Sequence, residues 1–205
     1  MSRILIIDNN RDPDCWGAAD LRRMASLLDG ATLYTRRAPE DDLPASPDPF
    51  DQVIVSGSKT SAMEDAPWVF KLHDFIRRTL DAGKPFLGVC YGHQSLVRAL
   101  GGKETVRKAA QSEYGWTSIE VVESSPLMEG LSRSFYTYSS HEDEVASLPS
   151  GLKRLARSSA CEIQACQLEG RPVFGIQFHP EKRLEKEKLY DPKVGETLFR
   201  NFLSL

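Results

Sequence analysis

The most informative feature of this 205-residue sequence is how little it has of several things. No apolar run approaches the roughly 20 residues that a bilayer-spanning helix needs, so no membrane-embedded protein is expected. Neither sign of charge dominates: 26 basic against 29 acidic residues leave a formal charge of -3, which gives no reason to expect nucleic acid or an anionic membrane as a partner. Cysteine is scarce, and Cys15, Cys90, Cys161 and Cys166 stand without metal-ligand spacing, so neither a metal nor a cofactor is expected. The N-terminus enters an apolar strand without a signal-type segment, and the expected compartment is a reducing cytoplasm. Internal repeats and low-complexity tracts are absent as well. What is present, 40% hydrophobic residues in a chain of this length, is enough for one full core, and a single domain over 1–205 is expected.

The pattern along the chain is that of an α/β protein. Residues 3–8 form a continuous apolar run ending in Asp8, as in a strand buried on both faces of a parallel sheet, and are expected near its centre. A polar loop over 9–16 precedes Leu21, Met24, Ala25 and Leu28 at helical spacing, with Gly30 where a helix would end. A short strand over 31–34 leads into a proline-rich surface connection over 38–50, and residues 51–56 are the next buried strand. Pro67 opens a helix to about Asp81 on Trp68, Leu72, Phe75, Ile76 and Leu80, which places His73 as a surface residue of that helix. Beyond Gly101 and Gly102 strands are expected over 117–122, 134–138, 155–158, 162–168 and 172–177, hairpin-connected, before a last helix over 195–205. The expected architecture is therefore three-layered: a mostly parallel central sheet flanked by helices, with an antiparallel β extension in the C-terminal half. The mixed-charge run over 182–188 is either a partner-facing rim or a solvated segment.

The segment Lys84-Pro-Phe-Leu-Gly-Val-Cys-Tyr-Gly-His-Gln94 reads as strand, abrupt turn and helix, with Cys90 at the apex. Gly88 and Gly92, two places to either side, are what a tight strand-to-helix turn requires, and the new helix directs free N–H groups and its positive dipole end at the sulfur. Two readings stand: a nucleophile elbow, or a buried cysteine ahead of a helix. The run Val173-Phe-Gly-Ile-Gln-Phe-His-Pro-Glu181 bears on the choice. Pro180 holds His179 extended, so His179 and Glu181, two apart, face the same space. Either this is a His-Pro turn with a surface glutamate, or His179 is a base for Cys90 with Glu181 accepting its other N–H.

Taken together, the segment Val55-Ser-Gly57-Ser, the elbow and Phe178-His-Pro-Glu181 resemble, in order and separation, the class I triad-type glutamine amidotransferases. The segments Asp65-Ala-Pro-Trp68, Tyr114-Gly-Trp116 and Ser140-His-Glu-Asp143 are similar to the stand-alone group related to the amidotransferase half of GMP synthase. The resemblance implies a flavodoxin-like amidotransferase fold. It also implies hydrolysis of the glutamine side-chain amide through a γ-glutamyl thioester on Cys90, with His179 and Glu181 completing the triad. It implies an oxyanion hole from the N–H groups of Gly57 and Tyr91, and glutamine contacts from Gln94 and from Tyr114, which follows Glu113. The ammonia would pass to a separate synthase subunit.

This sequence departs from the family's Gly-Gly-Pro or Gly-Ser-Pro loop by carrying Gly57-Ser58-Lys59, which removes a rigid ring and adds a cation. Lys59 is either a solvated lysine or a contact for an additional substrate carboxylate. His141 and Asp143 resemble a signalling or docking loop of GMP synthases, or are ordinary polar loop residues. His93 is expected to pack behind the nucleophile, and the three other cysteines to be inert buried thiols. Two other functions share these residues: a γ-glutamyl peptidase acting on glutathione-like compounds, and a catalytically silent binding or regulatory module.

Overall fold

The computed structural model describes every residue except Pro13, Trp16, Glu185 and Lys186. The end of the expected loop over 9–16 and part of the mixed-charge run over 182–188 thus lie outside the described residues.

The four runs with the longest apolar content form parallel strands: β1 (Arg3–Asp8), β2 (Thr32–Arg37), β3 (Gln52–Val55) and β4 (Phe86–Val89). The helices between them are α1 (Gly17–Ala25), α2 (Pro67–Asp81) and α3 (Tyr91–Gly101). The C-terminal half supplies β5 (Val106–Val121), β6 (Ser134–Val145), β7 (Leu152–Arg157), β8 (Ala165–Leu168) and β9 (Val173–Ile176), and α4 (Pro192–Leu203) closes the chain. All nine strands join one sheet in the order β2-β1-β3-β4-β9-β8-β7-β5-β6. The first four follow the flavodoxin-like order, and β9 returns to lie parallel to β4. The antiparallel strands β8, β7, β5 and β6 extend the sheet, as the sequence leads one to expect.

Two apolar layers sandwich this sheet. Leu21 and Met24 of α1 and Leu198, Phe199 and Phe202 of α4 pack with Ile4, Ile6 and Ile54 on one face. Leu72, Phe75 and Ile76 of α2 and Leu96 and Val97 of α3 pack with Leu5, Ile7 and Val53 on the other. Each such fully buried side chain contributes roughly 1.5–3 kcal/mol against exposure, which is why β1, buried on both faces, reads as an unbroken apolar run.

Three expectations need correction. β1 is second from the sheet edge rather than near its centre, because the antiparallel extension lies wholly on the far side. His73 is buried, at 6% exposure, and burial pushes its pKa down to about 4, with the nearby Arg98 and Arg77 charges acting in the same direction. It belongs to the apolar stripe Val69, His73, Ile76 and Leu80, whose spacing of four, three and four marks it as inward-facing. Finally, His141 and Asp143 are on a strand, not in a loop: β5 and β6 form a hairpin whose paired residues run from Val106 opposite Val145 to Glu120 opposite Ser134, with an irregularity between Lys108 and Glu113.

Candidate active site

The parallel register places three chain segments at one edge of the sheet. Val55 of β3 lies opposite Gly88 of β4, and Val89 of β4 lies opposite Ile176 of β9. Gly57, Cys90 and His179 therefore leave the C-terminal ends of three adjacent strands, where ligand sites of open α/β sheets collect. Cys90 is tied to the neighbouring segment through its N–H, which donates to the Ile176 carbonyl at 2.7 Å. His179 is held extended by a bridge to Tyr138 of β6, its N–H donating to the Tyr138 carbonyl at 2.7 Å.

Cys90 has φ 53° and ψ -105°, a backbone conformation that non-glycine residues rarely adopt and that persists where the surroundings enforce it. The flanking glycines are what enforce it. A Cβ on Gly92 would lie 2.3 Å from the Val55 carbonyl oxygen, and one on Gly88 would lie 2.4 Å from the Gly92 carbonyl oxygen. The turn is thus compressed between β3 and α3 with no room for a side chain on either side of the cysteine. Of the two readings of this segment, the geometry is that of an elbow.

The structure brings Cys90, His179 and Glu181 together. His179 Nδ1–H donates to Glu181 Oε1 at 2.8 Å, and the ring also hydrogen-bonds the Cys90 side chain. All three residues are buried, and Cys90 Sγ lies 3.8 Å from the Ser140 carbonyl oxygen. Burial by itself would push the imidazole pKa down, but the negative charges of Glu181 and of the Cys90 sulfur outweigh it and raise His179 to about 10. The imidazolium is therefore the form that this pocket favours. The second Glu181 oxygen is buried without a hydrogen-bond partner, so this carboxylate directs its charge chiefly at the ring.

Gly57 lies against both reactive groups: a Cβ there would be 3.0 Å from His179 Cε1 and 3.4 Å from Cys90 Cβ. Among the described residues its N–H makes no hydrogen bond. Tyr91 is the first residue of α3, so its N–H is one of the first-turn donors with no intrahelical acceptor, while its ring is buried against Trp68 at 5.9 Å between centroids. Two backbone donors thus flank Cys90. Gln94, one turn into α3, donates through Nε2 to the Asp143 carbonyl at 2.7 Å and to Gln177 Oε1 at 3.0 Å, which leaves its amide oxygen unbonded among the described residues. Tyr114 stands at the rim, 62% exposed, with its hydroxyl donating to Glu142 Oε1 at 2.7 Å. One cavity of about 420 Å³ is shared by Gly57, Cys90, Gln94, Tyr114, His179 and Glu181.

Other polar residues take structural places around the site. His93 is wholly buried behind the elbow, with Nε2 3.3 Å from the Ile163 carbonyl and Nδ1 3.6 Å from Cys166 Sγ, and burial pushes its pKa down to about 3. Cys161 and Cys166 are buried, and burial pushes both thiols up to about 12. Cys15 departs from the expected inert set, because it is only half-buried and lines the same cavity as Cys90. Glu113, adjacent in sequence to Tyr114, points away from the cavity into a polar cluster with His141, Ser158 and Gln164. Cys161 lies within 4.8 Å of the Glu113 and His141 ligand atoms, yet the hydrogen bonds to Glu113 already come from its three polar neighbours.

A three-layer sheet with an elbow cysteine, a His–Glu pair and a free backbone donor at one sheet edge defines an acyl-transfer class of protein. The model of the class-I glutamine amidotransferase family matches residues 30–194, and the chain belongs to that family. It is 35% identical over 157 residues to the glutamine-hydrolysing subunit of GMP synthase from Sulfolobus acidocaldarius, covering 76% of this chain and 77% of that one. It is 38% identical over 121 residues to the corresponding GMP synthase subunit from Archaeoglobus fulgidus, a match that spans 59% of this chain and 61% of the relative, less than two thirds of its length. A solved glutamine amidotransferase from Thermotoga maritima shares the fold, with a TM-score of 0.82 at 23% identity over 99% of this chain and 96% of the other.

Proposed function

We propose that the chain hydrolyses the side-chain amide of glutamine and delivers the ammonia to a separate synthase subunit, acting in the cytoplasm as a single domain. The observation that supports this most is the buried Cys90, His179 and Glu181 set with the unbonded Gly57 N–H directly beside it.

The residues divide the work as follows. With the proton resting on His179, the Cys90 sulfur attacks the amide carbon and the amide oxygen takes up negative charge. The N–H groups of Gly57 and Tyr91 hold that charge, each donor being worth about 10²- to 10³-fold in rate by analogy with other acyl-transfer sites. The tetrahedral adduct collapses as the imidazolium protonates the departing nitrogen, leaving ammonia and a γ-glutamyl thioester. The sulfur is now neutral, so one of the two charges that raised His179 has gone and the ring becomes a better base. It removes a proton from water, which cleaves the thioester to glutamate and regenerates Cys90. Gln94 through its amide oxygen and Tyr114 at the rim are placed to contact the rest of the glutamine.

The γ-glutamyl peptidase reading draws support from one observation. A second hollow of about 270 Å³ adjoins the cavity and shares Lys59 with it, and no carboxylate lies within salt-bridge distance of Lys59 among the described residues. A panel assay separates the two. Ammonia and glutamate release from glutamine, with and without a synthase partner, is expected to exceed cleavage of γ-glutamyl-cysteinyl substrates. Faster cleavage of the dipeptide-type substrates would replace the amidotransferase reading with the peptidase one.

The charge of Glu181 has its own signature. The kcat/KM profile reports groups of the free enzyme, and protonated His179 is needed, so kcat/KM is expected to fall as pH rises through the region of pH 10. Glu181→Gln removes a charge that raises the imidazole, so this alkaline limb is expected to move to lower pH, with kcat reduced roughly 10²- to 10⁴-fold. A profile whose alkaline limb is identical in the variant would show that Glu181 does not set the protonation of His179.

A further inference from the structure

We infer that Asp143 is a positioning residue that holds the Gly57 loop in its donor geometry, taking the place of the proline ring that Lys59 lacks; this deepens the function proposed above and rests on it. The loop leaves β3 through Ser56 and is fixed at its near end by Asn9. The Asn9 N–H donates to Ser56 Oγ at 2.9 Å and its Nδ2–H to the Ser56 carbonyl at 2.8 Å, while Ser58 Oγ–H donates to the Asn9 carbonyl at 2.8 Å. In the middle, Lys59 is exposed and carries no ring to restrict the backbone. The far end is held by Asp143. Its Oδ2 accepts from Ser61 Oγ–H at 2.6 Å and from the Ala62 N–H at 2.8 Å. Arg98 of α3 adds bonds to the carbonyls of Ala62, at 2.7 Å, and Glu64, at 2.8 Å.

Asp143 also faces the other side of the site. Its own carbonyl accepts from Gln94 Nε2–H at 2.7 Å and from His141 Nδ1–H at 3.1 Å. The residue is 6% exposed, its second carboxylate oxygen has no hydrogen-bond partner, and the nearest cation, Lys108 Nζ, is 3.5 Å away. A buried carboxylate forms stronger hydrogen bonds than a neutral acceptor, so the loop is pinned by two charge-assisted contacts. One residue on β6 thus fixes the loop through its side chain and Gln94 through its main chain. Truncating the side chain releases only the loop, which makes the role testable.

The Gly57 donor acts on charge that develops in the transition state, so loosening it lowers kcat and leaves KM nearly unchanged. Asp143→Ala is expected to lower kcat about 10- to 100-fold. Asp143→Asn keeps an acceptor oxygen and is expected to stay within about fivefold of wild type. Ser61→Ala, the milder loop variant, is expected to lose about three- to tenfold. Alkylation of Cys90 by iodoacetamide does not use the loop and is expected to be unchanged. Hydrogen exchange over residues 57–62 is expected to speed up in Asp143→Ala. A kcat within twofold of wild type in Asp143→Ala, a loss carried by KM, or unchanged exchange over 57–62 would overturn the assignment. Because exchange reads the loop without turnover, a wild-type chain that fails to hydrolyse glutamine overturns the functional reading separately.

Discussion

Cys90→Ala is expected to abolish glutamine hydrolysis, lowering kcat by about 10⁴- to 10⁶-fold, with His179→Ala falling in the same range and the pair together costing scarcely more than either alone. The reason is that the two residues act as one unit. The imidazolium is stabilised by the charges of Cys90 and Glu181, so removing the sulfur or the ring removes both the nucleophile's proton acceptor arrangement and the acid that releases ammonia. What remains is binding and the backbone donors at Gly57 and Tyr91, which keep a modest advantage over water. Glutamate release in a coupled assay, with the synthase partner present, measures this. Additive losses in the double variant would mean that Cys90 and His179 serve separate steps.

The second large effect is steric and concerns the elbow itself. Gly92→Ala would force a methyl group to within 2.3 Å of the Val55 carbonyl oxygen, and Gly88→Ala would force one to within 2.4 Å of the Gly92 carbonyl oxygen. Neither obstacle is a flexible side-chain end, so β3, β4 or α3 must shift. Overpacking of this kind costs about 3 kcal/mol at the upper end of its usual range. For a domain of this size that lowers Tm by roughly 6–12 °C. Activity is expected to disappear even where the protein still folds, because any relaxation moves Cys90 away from His179 and Gly57. Gly170→Ala is the control: it has positive φ, 68°, but open space around it, and strain alone costs about 1–2 kcal/mol. Thermal melting of the three variants separates the two causes, and equal destabilisation would refute the close approach at the elbow.

The same geometry explains which parts of the molecule could be read from its residues. The elbow and the His-Pro-Glu turn announce themselves because each is a short-range constraint: glycines two residues to either side of a cysteine, and a proline after a histidine. Helix α2 is found to the residue at both ends because Pro67 starts it and an uninterrupted apolar stripe continues it. The β5–β6 hairpin is only half legible. In β5 the residues between Arg107 and Ser112 are mostly exposed, so the strand shows no alternation there. In β6 the inward positions after Thr137 are Ser139, His141 and Asp143, which are buried as partners for other polar groups rather than as core. Burial of polar residues leaves no hydrophobic pattern, so a strand reads as a loop. Asp143 was hidden for the same reason, since its partners Ser61 and Gln94 are more than 45 positions away. His73 had a usable signal in the spacing with Val69, Ile76 and Leu80, but it was outweighed by the residue type.

Every step of the proposed chemistry passes through a Cys90 that is covalently γ-glutamylated during turnover, and trapping that species tests it without intermediaries. The chain is mixed with isotopically labelled glutamine, quenched in acid within the steady state, digested, and analysed by mass spectrometry at the peptide containing Cys90. The expected result is a γ-glutamyl adduct on Cys90 that carries the label, accumulates more slowly in Glu181→Gln, and is absent from Cys90→Ala. Steady turnover of glutamine with the label on another residue, or continued turnover in Cys90→Ala, would contradict it.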